Sequence, residues 1–301
     1  MVYTGHWMID SVCFELNLYC PLRCLHCSAN ASDMATRFIR LPTVAACLSA
    51  LGPLQEVYLS GGEPFSHREF LAIARTAASN CKLLAVYSSG TRLNTRGAVA
   101  ALRTSDLGDA ARAGVKRIDL SLYAPCAADH DRITERLGSF HATVETARRV
   151  RAAGIQLGLH VVPELVPTLD LHEVADFATE LGASRLHLLA LARHGRARGL
   201  EPMSGQQNWR KQLTEIGGIN APYELLVSSL LRLSLGLRIH TERDCLVPCF
   251  IDVHGYVYPR EDLRESAYRS HVPVTDLQSA LHVFRDVSHA ATSAVNTPPT
   301  E

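Results

Sequence analysis

Lysine is scarce and net charge is absent. Lys82, Lys116 and Lys211 are the only lysines, and the 30 basic side chains are matched by 30 acidic ones. That balance gives no electrostatic warrant for nucleic acid or an anionic membrane as partner. No uninterrupted apolar run approaches the roughly 18–20 residues that a membrane helix needs. Residues 1–10 lack a basic stretch followed by an apolar one, so no secretion signal is read there and the cytoplasm is the expected location. An even set of cysteines is missing too: there are nine, which suits a disulfide framework poorly. In a cytoplasmic chain, clustered thiols point to metal or catalysis. Wholesale disorder is excluded, because 47% of the 301 residues are hydrophobic and supply a large core.

What is there is an alternation. Strand-like runs at 12–18, 57–60, 83–88, 117–122, 155–162 and 185–190 are separated by helix-like stretches at 43–51, 70–79, 96–113, 140–153 and 171–181. Phe140, Val144, Ala147 and Val150 form one apolar helical face, and Gly154 supplies a stop. Six such alternations predict an α/β fold with a parallel sheet and right-handed crossovers. Within the strands, Val12, Phe14, Leu16 and Leu18 alternate with Cys13, Glu15 and Asn17. Ile118, Leu120 and Leu122 alternate with Asp119, Ser121 and Tyr123, and Leu157, Leu159 and Val161 with Gly158 and His160. One face is aliphatic and packs under helices, while the other is polar. A closed barrel fills its interior with aliphatic side chains, so a polar lumen predicts an open or partial barrel that holds a ligand. Beyond 190 the pattern changes: 193–222 reads as a connection leaving the sheet, 223–235 as helix, 237–241 as strand, and 250–258 as a hairpin turning at His254-Gly255. The tail over 288–301 reads as disordered.

Two motifs carry chemistry. Cys20, Cys24 and Cys27 stand in Cys-Pro-Leu-Arg-Cys-Leu-His-Cys just after the first strand. Thiolates at spacings of four and three converge from one loop onto a metal centre. Zinc wants four ligands and a closed site, and His26, inside the triplet, is poorly placed to be the fourth. Iron–sulfur clusters take thiolates, usually four; three leave one iron open to chemistry. One βα unit later, Gly61-Gly62-Glu63-Pro64 ends the second strand, at the edge where α/β proteins bind ligands. Its glycines let a ligand approach the backbone, and Glu63 can accept from an ammonium.

With these two motifs in this order, the chain resembles the radical S-adenosylmethionine (SAM) superfamily. The likeness runs through Ser88-Ser89-Gly90 and Asp119-Leu120-Ser121 and covers about residues 10–195. It implies a partial (βα)6 barrel over 1–195, one [4Fe–4S] cluster on Cys20, Cys24 and Cys27, and SAM chelated to the open iron. Gly61, Gly62 and Glu63 are then expected at the SAM amino group, Ser121 and Arg132 at its carboxylate or ribose, and Pro64 and Ser88 among the other cofactor contacts. The family places Asn where Ser89 stands. A peptide or small natural product is the expected substrate, and a flavodoxin or ferredoxin the expected reductant. No catalytic side chain is singled out. The rival reading is a non-catalytic iron–sulfur or zinc protein, against which the Gly61–Pro64 turn speaks.

Cys245 and Cys249 lie in a stretch similar to the C-terminal SPASM or twitch extensions of peptide-modifying members, here over 196–287. Where those continue with a cysteine this chain has Arg260, so 237–258 is expected to act as a lid without an auxiliary cluster. Cys47 reads as core, and Cys13, Cys81 and Cys126 as isolated. His160 and His187 are placed on the lumen face, and Arg196, in His194-Gly-Arg-Ala197, reads as a cofactor or substrate contact or as a solvated loop residue.

Overall fold

The computed structural model describes residues 9–166, 168–200, 206–217, 221–237, 249–259 and 269–284. Six parallel strands follow one another in chain order across a single sheet: β1 (Ser11–Glu15), β2 (Leu54–Ser60), β3 (Cys81–Ser88), β6 (Arg117–Ser121), β7 (Gln156–Val161) and β8 (Arg185–Leu188). Between β3 and β6 a separate hairpin pairs β4 (Thr91–Leu93) with β5 (Val99–Ala101). The crossovers carry α1 (Leu41–Leu51), α2 (Phe70–Ala78), α3 (Thr104–Arg112), α4 (Ala127–Thr134), α5 (Ser139–Ala152) and α6 (Leu171–Glu180). This is the α/β half-barrel expected from the alternation. Val12, Phe14 and Leu16, all fully buried, join the main core with Val44 and Leu48 of α1. On the opposite face Cys13 packs with Tyr58, Ala85, Phe250 and Tyr258, so the two-faced strand pattern is realised as written.

The sheet is wider than six strands. Among the described residues its order is β11-β10-β1-β2-β3-β6-β7-β8-β9, and its edges β11 and β9 do not meet. β9 (Glu224–Val227) runs parallel to β8. β10 (Cys249–Ile251) runs parallel to β1, and β11 (Val257–Tyr258) returns antiparallel to β10. The hairpin expected at His254-Gly255 is therefore present, but the lid expected over 237–258 needs correction for its described residues 249–258. An uncovered strand edge offers unpaired backbone groups to any nearby strand. β10 takes that edge, and the buried Glu15 carboxylate accepts from the Val253 N–H at 3.0 Å.

Three further expectations are corrected. The helix read over 96–113 begins only at Thr104, because Asn94 accepts from the Arg96 and Ala98 N–H groups and Gly97 turns with φ 74°, which closes the β4–β5 hairpin instead. The connection over 193–222 contains α7 (Gln206–Gly217), whose buried Trp209 donates to the Leu169 carbonyl at 3.1 Å. The helix read over 223–235 splits into β9 and α8 (Ser229–Ser234), since the edge of β8 supplies a strand partner that outweighs helical periodicity. Residues 238–241, Cys245, Arg260 and the tail 288–301 lie outside the described residues. No described helix is long and apolar enough to cross a membrane.

Candidate active site

The three cysteines sit in an irregular loop between β1 and α1 that leaves the carboxyl end of the sheet. Its base is pinned by two bridges, Asn17 with Phe38 and Tyr19 with Ser32, and by the Cys20 N–H donating to the Ser32 carbonyl at 3.0 Å. Inside it, the Leu22 N–H points to the Cys20 sulfur at 3.4 Å and the Ala31 N–H to the Cys27 sulfur at 3.3 Å. Burial, then the neighbouring Cys27 thiol, pushes the Cys24 thiol up to about 12. Cys20 is pushed up in the same way, by burial and then by Cys24 and Glu63. One buried and two half-buried thiols, with backbone amides aimed at the Cys20 and Cys27 sulfurs, are a donor set short of a cation. Zinc wants four ligands in a closed site and this loop offers three thiols, so the triplet suits a multi-iron cluster better than mononuclear zinc.

The turn after β2 is locked onto the same loop. An added Cβ at Gly62 would lie 2.2 Å from the Tyr19 carbonyl oxygen, and one at Gly61, where φ is 132°, 2.6 Å from that of Asn17. These glycines thus also serve the approach of two protein segments. The Glu63 N–H donates to the Tyr19 carbonyl at 2.7 Å, and Asn17 donates through Nδ2 to the Glu63 carbonyl at 2.9 Å. His67 closes the connection by bonding through Nε2 to the Ile39 carbonyl at 2.9 Å.

The Glu63 side chain is fully buried. Its carboxylate accepts from Ser88 Oγ at 2.8 Å, Ser89 Oγ at 2.6 Å and the Ser89 N–H at 2.9 Å. Every donor to it is neutral, and no ion pair involving Glu63 occurs among the described residues. Burial accordingly raises its pKa despite the hydroxyls. A buried carboxylate held by neutral donors in a ligand-binding edge lacks one thing, a cation. Ser88 thus lies at Glu63, and the adjacent Ser89 contributes as many bonds to it as Ser88 does. Only the Ser-Ser-Gly run hinted at this in the sequence.

The remaining residues scatter around this rim. Pro64 opens the 3₁₀ turn Pro64–Ser66, capped by Glu63. Ser121 ends β6, and the nearby Tyr123 hydroxyl acts to lower the Cys24 thiol's pKa against the effect of burial. Arg132, on α4, pairs with Asp129 at 3.1 Å and donates to the Leu165 carbonyl at 3.3 Å. His26 lies edge-on to Tyr123 with ring centroids 4.6 Å apart, and its buried Nδ1 has no hydrogen-bond partner. Burial, reinforced by the Arg196 charge, drives the His26 pKa down to about 4.

Deeper in the lumen, Arg117 and Asp119 form a buried ion pair at 2.9 Å. Asp119 lies across β7 in a space that only glycine leaves, since a Cβ at position 158 would lie 1.8 Å from its Oδ1. Tyr87, His160 and His187 pack edge to face beside this pair, at 4.6 and 5.3 Å between centroids. Cys249 instead faces the core, where its thiol donates to the Tyr258 carbonyl at 3.3 Å and burial raises its pKa to about 12.

The Radical SAM superfamily profile matches residues 15–181. PqqA peptide cyclase of Methylobacterium nodulans is 34% identical over 180 residues, covering 58% of this chain and 44% of that protein. The chain therefore spans less than half the length of this curated relative. Among solved structures, Streptococcus suis SuiB bound to S-adenosylmethionine aligns with a TM-score of 0.63 at 13% identity, over 83% of this chain and 60% of that one. SuiB bound to its precursor peptide SuiA aligns with a TM-score of 0.65 at 13% identity, over 90% and 64%.

Proposed function

The chain belongs to the Radical SAM superfamily, and on that premise we propose that it is an enzyme that modifies a peptide by hydrogen abstraction. The family binds a [4Fe–4S] cluster and SAM; reduced by one electron, that pair yields a 5′-deoxyadenosyl radical that removes hydrogen from a substrate C–H. In this reading Cys20, Cys24 and Cys27 hold the cluster. Glu63, oriented by Ser88 and Ser89, faces the SAM ammonium with the Gly61–Gly62 backbone, and Pro64 fixes the turn. Ser121 and Arg132 are assigned to the carboxylate or ribose. Residues 1–195 form the barrel and 196–287 extend it. A flavodoxin or ferredoxin supplies the electron. One observation carries the reading: the cysteine loop and an uncompensated buried carboxylate are locked together on one sheet edge by Asn17 and Tyr19. A carrier or structural iron–sulfur protein has no use for that carboxylate. The names of the two relatives, one a peptide cyclase and one bound to a precursor peptide, support a peptide substrate.

Replacing Cys24 with Ala tests the assignment. Two thiolates hold a cubane poorly, so the variant is expected to lose the cluster absorbance and all 5′-deoxyadenosine formation. A reconstituted variant that still forms 5′-deoxyadenosine excludes the loop as the cluster site. With Cys249 committed to the core, one cluster per chain is expected, about four iron and four sulfide. A Cys20/Cys24/Cys27 triple-alanine protein that still binds both in stoichiometric amounts would establish an auxiliary site.

A further inference from the structure

Arg196 lies 165 residues beyond Ala31, yet it is built into the cysteine loop. Its Nε donates to the Cys24 carbonyl at 2.7 Å and its Nη2 to the Ala31 carbonyl at 2.9 Å. Its own N–H donates to the Cys27 carbonyl at 3.1 Å. The preceding residue completes the fit. Gly195 has φ 55°, and a Cβ there would lie 2.5 Å from the carbonyl oxygens of both Cys27 and Ser28. No side chain fits where the strand-eight loop presses on the segment that closes the triplet. A planar, permanently charged fork that spans two carbonyls is a task that lysine's single ammonium cannot perform. The guanidinium is also the cation recorded beside the Cys24 thiol.

We propose that Gly195 and Arg196 are a clasp that holds the cysteine loop in its ligating shape before a cluster arrives, and that the Arg196 charge then eases electron entry into the cluster. Arg196 is thus a positioning residue rather than a contact for SAM or substrate. The first half stands on the loop itself; the second rests on the cluster assignment proposed above. The physical logic separates the two. Bridging the carbonyls requires the fork, which removes conformational freedom from the loop. Favouring the more negative, reduced cluster requires only a nearby positive charge.

Two substitutions divide these effects. In cluster-free protein, Arg196→Met and Arg196→Lys should both speed hydrogen exchange of the amides in 22–31 by about tenfold or more, because each loses the two-carbonyl bridge. Gly195→Ala should do so independently. After reconstitution, Arg196→Met should shift the cluster midpoint potential downward, whereas Arg196→Lys should leave it near that of the parent. Unchanged exchange in both Arg196 variants overturns the clasp. An unchanged potential in Arg196→Met, or an equal shift in both, overturns the role of the charge. If the parent itself takes up no cluster, the cluster assignment and the charge role built on it fall together. The exchange measurement still decides the clasp.

Discussion

The cysteine loop and the Gly61–Pro64 turn share one edge of the sheet but are stabilised in opposite ways. The turn is held by close packing within the sheet: its glycines lie against the backbone of residues 16–19, and its buried carboxylate accepts from Ser88 and Ser89. The loop is held from outside. Arg196 grips it on one side, and on the other Arg136 donates through Nε to the Pro21 carbonyl at 2.9 Å while pairing with Asp33 at 2.7 Å. The difference teaches where preorganisation is needed. On the proposed reading the turn receives a ligand's ammonium and must be rigid beforehand, because mobility would cost affinity. A loop whose thiols are to be joined by a cluster gains its final rigidity from the bond, and requires only enough restraint to bring the sulfurs together.

The contrast breaks most severely at Gly62. With a Cβ 2.2 Å from the Tyr19 oxygen, Gly62→Ala must displace backbone, and a loss of about 3 kcal/mol or more is expected. Gly52→Ala is the control: space is open there, and only φ 74° opposes the change, so about 1 kcal/mol is expected. Urea unfolding of the cluster-free proteins separates the two; equal losses would mean that the turn yields as freely as a surface helix end.

Glu63→Gln sharpens the comparison chemically. The amide retains the shape but sets an NH2 against the serine donors and removes the charge. Charge-assisted hydrogen bonds are worth about 1.5–3 kcal/mol, so SAM affinity should fall about tenfold or more with the cluster intact. Titration calorimetry that shows unchanged affinity would move the ammonium elsewhere.

A smaller effect comes from the helix behind the loop. α5 has no side-chain cap of its own at Gly138; Asp131 of α4 supplies it, accepting from Gly138 N–H at 2.7 Å, Ser139 Oγ at 2.7 Å and Phe140 N–H at 2.8 Å. Those bonds outweigh the opposing effect of burial and lower the Asp131 pKa. Its contribution is therefore present above the ordinary carboxylate range and fades as pH falls through the lowered value. Asp131→Asn should lose about 1 kcal/mol at neutral pH and less in acid. A loss that does not shrink between pH 7 and pH 3 would assign it to packing.

A second pH-dependent change is expected among the buried histidines. Burial is the first cause that holds His160 and His187 at about 3 and His130 at about 4, against an ordinary 6.5. Between those values the unfolded chain binds more protons than the folded one. Stability should therefore decline as pH drops from 6.5 toward 4. His160→Phe should flatten that decline in urea midpoints; an identical slope would mean that His160 is protonated in the folded protein.

Much of this was legible in the chain itself. Alternating apolar residues specify the parallel strands because each strand must bury one face whatever surrounds it, and Cys20, Cys24 and Cys27 announce themselves because one loop carries all three. Strand partners were not legible. Glu224–Val227 became a strand because β8 offered a free edge, the strand of the expected hairpin found its partner in β1, and 96–101 left its helical period for an asparagine turn. The same holds at the site. Glu63 could be read from its motif, but Asn17, Ser89 and Tyr123 could not, nor could the purpose of Arg196. Their partners lie between 26 and 172 residues away where they bond to Glu63 or the cysteine loop. Local pattern encodes what a segment must bury; which distant backbone it meets is decided only when the whole sheet has closed around it.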